Sequence, residues 1–300
     1  MGRLIDMNKM TFCISTYNNY DYLKLAVKSV RKNSYFKDAP FVVHAENCND
    51  GTNEWLEENK EKYDLEIYIE PNNEVVRGIG GGMDFCADKV KTEYIMFLHS
   101  DFYVSKDWDK ACLDVFEKYP DKKLWVSPHR VQPNIFSEDH RPGTVMADIN
   151  EFGAFHHDFD SEYFEQWAIE FTSMNDFEIR KGEGVSGLVR KEDWDMVDGN
   201  DPIFSPASWE DMDLFIRLQM EGVDFILPSK SLIYHFGARG SHFPEDDFSK
   251  KSDRQVKAET DNAQKWFKKW GLPPVFDDVR FVKVTDDYIR RYKEIKNEIN

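Results

Sequence analysis

Basic residues are scarce in this chain: 39 Lys and Arg stand against 56 Asp and Glu, a formal net charge of −17. A general nucleic-acid or anionic-membrane surface needs a basic footprint, so the balance argues against both. A nucleotide stays open, because a metal and a few local arginines can neutralise its phosphates. Cysteine is sparse as well. Cys13, Cys48, Cys86 and Cys112 are scattered without a CxxC pair or a dense framework, which predicts reduced thiols in a cytoplasmic protein and no thiolate metal site. Long hydrophobic runs are missing. No segment approaches the roughly 20 apolar residues that span a bilayer, and the N-terminus lacks the apolar stretch and cleavage site of a secretory leader. The expectation is a soluble chain without a transmembrane segment. Internal repeats and low-complexity tracts are lacking too.

What is present is ample core material. Apolar residues at 41% and aromatics at 15% argue against global disorder. A chain of 300 residues suits one large α/β domain with elaborations or a tail. Residues 11–15, 41–46 and 65–70 read as strands. Between the first two, Leu23, Ala26, Val27 and Val30 fall on one helical face, and Met83, Cys86, Ala87 and Val90 repeat that spacing. A third helix buries Trp108, Ala111, Cys112, Val115 and Tyr119, and a short strand follows at 124–127. Such alternation predicts a mainly parallel sheet flanked by helices. Residues 130–182 break the pattern with aromatics and acids, and read as an insertion covering a site, with a helix around Phe164, Trp167, Ala168 and Phe171. Strand signals return at 185–190 and 225–228, and helical patterns at 255–270 and 288–299. The expected division is a domain over 1–240 and a helical C-terminal extension over 241–300.

Four segments carry chemistry. The apolar run from Tyr94 ends abruptly in His99-Ser100-Asp101, delivering a carboxylate at the C-terminal edge of a strand, where ligands bind in open α/β sheets. Glu46 ends the second strand, and Asp50-Gly51-Thr52 follows as a turn with Thr52 as helix N-cap. Ser208-Trp209-Glu210-Asp211 has the spacing of a capping box, with Asp211 in a first helical turn whose dipole keeps a carboxylate ionised, as a general base must be. His235 ends a strand at 232–234. The glycines of Arg77-Gly78-Ile79-Gly80-Gly81-Gly82-Met83 fail the GxGxxG spacing at Met83. They read instead as a helix entry near phosphates, with Arg77 as a local cation.

Taken together, these segments resemble the family 2 glycosyltransferases of the GT-A fold. The likeness begins at Ser15-Thr16-Tyr17-Asn18 and runs through Glu46 and Asn49-Asp50-Gly51-Thr52. It continues with Gly78 to Asp84, with His99-Ser100-Asp101 at the family's D-x-D motif, with Glu210-Asp211 at its E-D pair, and with His235 at its late histidine. It covers about residues 10–240, and Trp270-Gly271 matches a K-W-G ending common after such domains.

The resemblance implies a metal-dependent inverting transfer of a sugar from a nucleoside-diphosphate sugar, a UDP-sugar foremost, to a glycan or other hydroxyl acceptor. Thr16, Tyr17, Asn18 and Glu46 would surround base and ribose, with Asp50, Arg77, Asp84 and Ser100 also in the donor site. Asp101 and His235 would hold a divalent metal, Mn2+ more naturally than Mg2+ because of the nitrogen ligand. Asp211 would be the base, Glu210 would orient the acceptor, and Arg239 would meet the diphosphate. The sequence departs from the family at His99, which replaces the first Asp of D-x-D, at Asp84, where Asn is common, and at Glu46, where Asp is common. Two rival readings are a non-catalytic nucleotide- or glycan-binding module and a sugar-nucleotide nucleotidyltransferase. The second would need a basic loop after the first strand, and residues 15–21 contain no Lys or Arg.

Overall fold

The computed structural model describes residues 9–70, 76–134, 142–148, 151–182, 184, 186–237 and 251–299. The chain opens with β1 (Met10–Thr16), α1 (Tyr20–Asn33), β2 (Phe41–Glu46), α2 (Thr52–Asn59), β3 (Glu66–Glu70), α3 (Gly78–Lys89) and β4 (Tyr94–His99). Next come β5 (Phe102–Val104), α4 (Trp108–Lys118), β6 (Leu124–Val126), β7 (His129–Pro133), β8 (Thr144–Ala147), α5 (Ser161–Met174), β9 (Glu178–Arg180), β10 (Leu188–Arg190) and α6 (Lys191–Asp195). A 3-10 turn (Pro202–Phe204) leads to α7 (Glu210–Met220), β11 (Asp224–Pro228), β12 (Leu232–His235), α8 (Asp253–Trp270) and α9 (Asp286–Ile299).

The larger sheet runs β3-β2-β1-β4-β10-β6-β11-β9. Its β3-β2-β1-β4 half is parallel throughout, whereas β10 lies antiparallel to both β4 and β6. Side-chain alternation along the parallel strands divides the core. Phe12 and Ile14 of β1, with Met96 and Leu98 of β4, pack against Leu23, Val27 and Val30 of α1 and Cys112 and Phe116 of α4. Cys13, Ile95 and Phe97 point to the other face, against Met83, Cys86 and Ala87 of α3 and Leu214 and Phe215 of α7. Both faces are therefore covered, as the near-continuous apolar strands require.

A second sheet, ordered β5-β12-β7-β8, sits at the end of the first. Its β7 and β8 come from the 130–182 segment, and α5 of that segment packs Phe164 and Ala168 onto Val131, Leu232 and Tyr234. Residues 130–182 thus build a sheet and its helical cover. Among the described residues of that stretch, Arg130 alone lines the cavity described below. Its apolar positions are occupied by the second core.

The C-terminal helices form a further layer. Trp266 and Trp270 of α8 are fully buried against Ile216 of α7 and Tyr288 and Tyr292 of α9. Each such side chain stabilises the docking by roughly 1.5–3 kcal/mol relative to exposure. Gly271 in the left-handed region (φ 70°) ends α8, which is the structural content of the Trp270-Gly271 signature. Charge reinforces the layer: fully buried Asp213 on α7 accepts from Arg217 Nε at 2.8 Å and from Trp270 Nε1 at 2.9 Å, and pairs with Lys269 Nζ at 2.7 Å. Among the described residues, no helix is long and apolar enough to cross a membrane.

Candidate active site

The C-terminal ends of β1, β2 and β4 open into a cavity of about 1020 Å3. Ser15, Thr16 and Tyr17 line it from β1 and its exit, Glu46 from β2, and His99, Ser100 and Asp101 from β4 and its exit. Glu210 and Asp211 reach it from the start of α7, and His235 from the end of β12. Parallel strands ending together put the β1, β2 and β4 groups at one sheet edge, as doubly wound sheets do for their ligands.

Asp101 and His235, 134 positions apart in sequence, meet because β5 pairs antiparallel with β12, with Phe102 opposite His235. The Phe236 N–H also donates to the Asp101 carbonyl at 3.1 Å. His235 Nε2 lies 3.5 Å from Asp101 Oδ2. On its other side, His235 Nδ1 is 3.1 Å from Gln132 Oε1. An amide oxygen only accepts, so Nδ1 carries a proton there, and whenever the ring binds a cation it is Nε2 that would offer its lone pair on the carboxylate side. Two acceptors facing one another across 3.5 Å, one fixed from behind by a hydrogen bond, fit a shared cation. Among the described residues, no group of three or more His, Cys, Asp or Glu forms a self-sufficient metal cage. The pair suits an ion that takes its remaining ligands from a substrate. His99 stacks on Phe102 (5.2 Å, 17°), and Phe102 meets His235 edge-on (4.9 Å, 84°), so one phenyl ring separates the two imidazoles.

Glu46 is buried, and its Oε2 accepts the Gly78 N–H at 2.8 Å. The strand-end carboxylate thereby fastens the first turn of α3 beside the cavity. Gly78, at φ 69°, has no room for a side chain, since a Cβ would sit 1.9 Å from the Pro206 carbonyl oxygen. Gly82 is equally constrained, because a Cβ there would lie 1.9 Å from Ser15 Oγ. The glycine run is therefore the packing surface of a helix against β1 and the 206 loop, not a free phosphate loop. Thr16 Oγ1 and Glu210 Oε2 are buried polar atoms of cavity-lining residues without a hydrogen-bond partner among the described residues, and such atoms are costly unless a ligand meets them.

At the start of α7 the expected capping box does not form. Ser208 (φ 72°) and Trp209 (φ 75°) are consecutive left-handed residues, Trp209 occupies the N-cap, and Ser208 Oγ accepts from Gln255 Nε2 at 2.6 Å instead. A non-glycine residue in this region costs roughly 1–2 kcal/mol, and α8 offsets it. Asn262, fully buried, donates from Nδ2 to the carbonyls of Phe204 (2.6 Å), Ala207 (2.8 Å) and Ser208 (2.9 Å). Trp209 Nε1 donates to the Glu259 carbonyl at 3.1 Å. The strained pair points Glu210 and Asp211 into the cavity, and Asp211 Oδ1 accepts the first-turn N–H of Met212 at 2.8 Å. Burial, and then the Asp211 charge, push the Glu210 carboxyl well above the usual carboxylate range.

Four expected donor-site residues lie outside the lining. Asn18 makes the turn after β1 (φ 46°), and its Oδ1 accepts the Asn49 N–H at 2.7 Å. Its neighbour Asn19 lines the cavity and donates to Ser100 Oγ at 2.8 Å. Asp50 accepts the N–H groups of Tyr20 (2.9 Å) and Thr52 (3.1 Å), while Gly51 occupies the N-cap of α2 and Thr52, expected there, is the first helical residue. Arg77 is bound at 2.8 Å to Glu70, whose other oxygen is 3.2 Å from buried His44. Asp84 Oδ1 accepts the Asn200 N–H at 2.9 Å, and Asn200, not Asp84, reaches the cavity. Burial first, and despite those hydrogen bonds, raises Asp84 to about 7. Arg239 lies outside the described residues. The wall that sequence reasoning missed is α8, with Gln255, Glu259, Gln264 and Phe267 in the lining. Its amphipathic period was readable, but not which neighbour its polar face would meet.

Comparison with known proteins supplies the context. The description "Glycosyl transferase family 2" matches residues 11–178. GalNAc-T7, solved with UDP, GalNAc and Mn2+, superposes with a TM-score of 0.61 at 14% identity, over 97% of this chain and 55% of that one. S. aureus TarS 1-349 in complex with UDP gives a TM-score of 0.52 at 14% identity, over 75% of this chain and 60% of that one. The longer S. aureus TarS structure gives 0.51 at 13% identity, over 76% and 36%. The chain thus spans between 36% and 60% of the length of these structures. A search among curated protein sequences finds no match. The structural likeness establishes the GT-A fold, and the family match extends over more than half of the sequence. This chain belongs to glycosyl transferase family 2.

Proposed function

We propose that the protein is a metal-dependent, inverting glycosyltransferase that moves a sugar from a nucleoside-diphosphate sugar, a UDP-sugar foremost, to an acceptor hydroxyl. One observation carries the reading: Glu46, the Asp101–His235 pair and the Glu210–Asp211 pair line a single cavity at the ends of β1, β2 and β4. That TarS was solved with UDP, and GalNAc-T7 with UDP, GalNAc and Mn2+, supports the donor class.

In this reading Thr16, Tyr17 and Glu46 contact the nucleoside. Thr16 Oγ1 gains the hydrogen bond it lacks among the described residues, and Asn19 donates to Ser100 in the same lining. Asp101 and His235 hold the divalent cation, Mn2+ or Mg2+, which when bound offsets the negative charge developing on the leaving diphosphate. Glu210 keeps the proton of the adjacent carboxyl pair, because its burial and the neighbouring Asp211 charge both disfavour its ionised form. Negative charge therefore resides on Asp211, which the first turn of α7 favours. Asp211 accepts the acceptor's hydroxyl proton as that oxygen attacks the anomeric carbon, and the bond to the diphosphate oxygen breaks on the opposite face. One displacement gives inversion, with general-base help worth about 10²–10⁴-fold. Protonated Glu210 donates a hydrogen bond that orients the acceptor.

The test is a panel of nucleoside-diphosphate sugars incubated with the full chain and Mn2+, reading nucleotide release and, by NMR, the anomeric configuration of the product. Turnover of a UDP-sugar with inversion is expected. Retention of configuration would overturn the single-displacement mechanism, and turnover undiminished by a chelator would overturn the metal dependence.

A further inference from the structure

The cavity is larger than a donor nucleotide needs: about 1020 Å3 lies at the top of the roughly 300–1,000 Å3 range of small-molecule sites. The lining extends beyond the strand ends to α8 and to Phe276 and Arg280. Two phenyl rings there stand apart from the rest of the molecule. Phe267 on α8 is 50% exposed and Phe276 is 44% exposed, although both line the cavity. Neither ring has an aromatic partner among the described residues, whereas Trp266, one position before Phe267, is buried against Phe204, Trp209, Trp270 and Tyr288. Phe276 is held rigidly. It bridges antiparallel to Val282, Lys283 N–H donates to the Val275 carbonyl at 2.8 Å, and Asp277 Oδ1 accepts from Val279 (3.1 Å) and Phe281 (2.9 Å).

Resting on the donor-site reading above, we infer that this α8 side is the acceptor subsite and that its occupant is an uncharged glycan, one sugar ring lying against Phe267 or Phe276. The lining chemistry selects that class. Phe267 and Phe276 share the wall with Gln255, Gln264 and Glu259, so apolar faces alternate with amide and carboxylate groups. A pyranose has the matching pair of surfaces, an apolar C–H face and a rim of hydroxyls. An acyl chain would desolvate the amides and the carboxylate without compensation. An anionic acceptor would meet the carboxylates of Glu259 and Asp211, which outnumber the one guanidinium, Arg280, among the described lining residues of this side. The position suits the chemistry as well, because Trp209, bonded through Nε1 to the Glu259 carbonyl, joins this wall to the adjacent Glu210 and Asp211. Specificity would then reside in the C-terminal extension, outside residues 11–178 that define the family match.

The test uses the full chain with UDP and Mg2+ and, as probes, neutral methyl disaccharides of glucose, galactose, mannose and N-acetylglucosamine, read by saturation-transfer NMR and titration. At least one disaccharide is expected to receive saturation through its ring C–H protons. Its Kd should rise roughly tenfold in Phe267→Ala and in Phe276→Ala, and stay near the parent value in Phe267→Trp, a change of about 1.4 kcal/mol per alanine substitution. UDP affinity should be unchanged in all three, which also reports that they fold. Disaccharide binding that both alanine variants leave intact would overturn the assignment, as would a protein that binds UDP but none of the disaccharides. Failure of the parent protein to bind UDP would instead overturn the donor-site reading, and this inference with it.

Discussion

Replacing Asn262 by alanine would separate the aim of the Glu210–Asp211 pair from donor binding. The side chain lies on α8, touches neither strand edge, and donates to the carbonyls of Phe204, Ala207 and Ser208 from one buried amide. Its removal leaves buried carbonyls unpaired, at about 1–3 kcal/mol. The left-handed conformations of Ser208 and Trp209 together hold about 2–4 kcal/mol. Anchor and strain are thus of similar size, so losing the anchor lets the turn relax and moves the start of α7. A displacement of about 1 Å at a reacting group costs on the order of 10²-fold. Asn262→Ala should therefore lose about 10²-fold in kcat and about 1–3 kcal/mol in stability by urea unfolding, while UDP affinity by calorimetry stays within about twofold. Unfolding that shows the stability loss together with an unaltered kcat would refute the positioning role, since the anchor would then serve stability alone.

Other outcomes follow from the same geometry. Asp211→Asn should lower transfer by about 10²–10⁴-fold and keep donor affinity, and near-normal transfer would remove Asp211 from the base role. Asp84, raised to about 7 in the folded chain, favours folding while protonated. Its contribution is full below the ordinary carboxylate range and lost as pH rises toward about 7, so Asp84→Asn should flatten the fall in stability across that window, by a few kcal/mol at most. Matched pH-stability curves that stay parallel would count against it. Gly82→Ala, which drives a methyl against Ser15 Oγ, should destabilise by roughly 1–3 kcal/mol in thermal or urea unfolding.

The residues legible in sequence are those whose position on a strand fixes their direction. Glu46 and Asp101 end apolar runs on parallel strands that finish at one edge, and His235 ends a strand that the antiparallel β5–β12 pairing lays beside Asp101. Where a turn intervenes, sequence order misleads by a single residue: Asn18 takes the left-handed turn, and Asn19 faces the cavity. Asp50 and Asp84 carry motif-like positions yet spend their oxygens on backbone N–H groups, because a short carboxylate beside a helix start or turn finds those donors first. The capping-box spacing at Ser208 is overridden by tertiary contacts from α8, a partner lying beyond residue 250. Periodicity identified α8 as amphipathic, but its docking on α7 depends on Trp266, Trp270 and the Asp213–Lys269 pair, which only three dimensions bring together.

The central claim, a donor site organised by the Asp101–His235 pair, is tested most directly by calorimetric titration of UDP with and without Mn2+ on the parent chain and on Asp101→Ala. Mn2+ should tighten UDP binding to the parent by roughly tenfold or more, about 1.4 kcal/mol, and Asp101→Ala should abolish this gain while leaving the Mn2+-free affinity in place. An equal Mn2+ dependence in both proteins would contradict it.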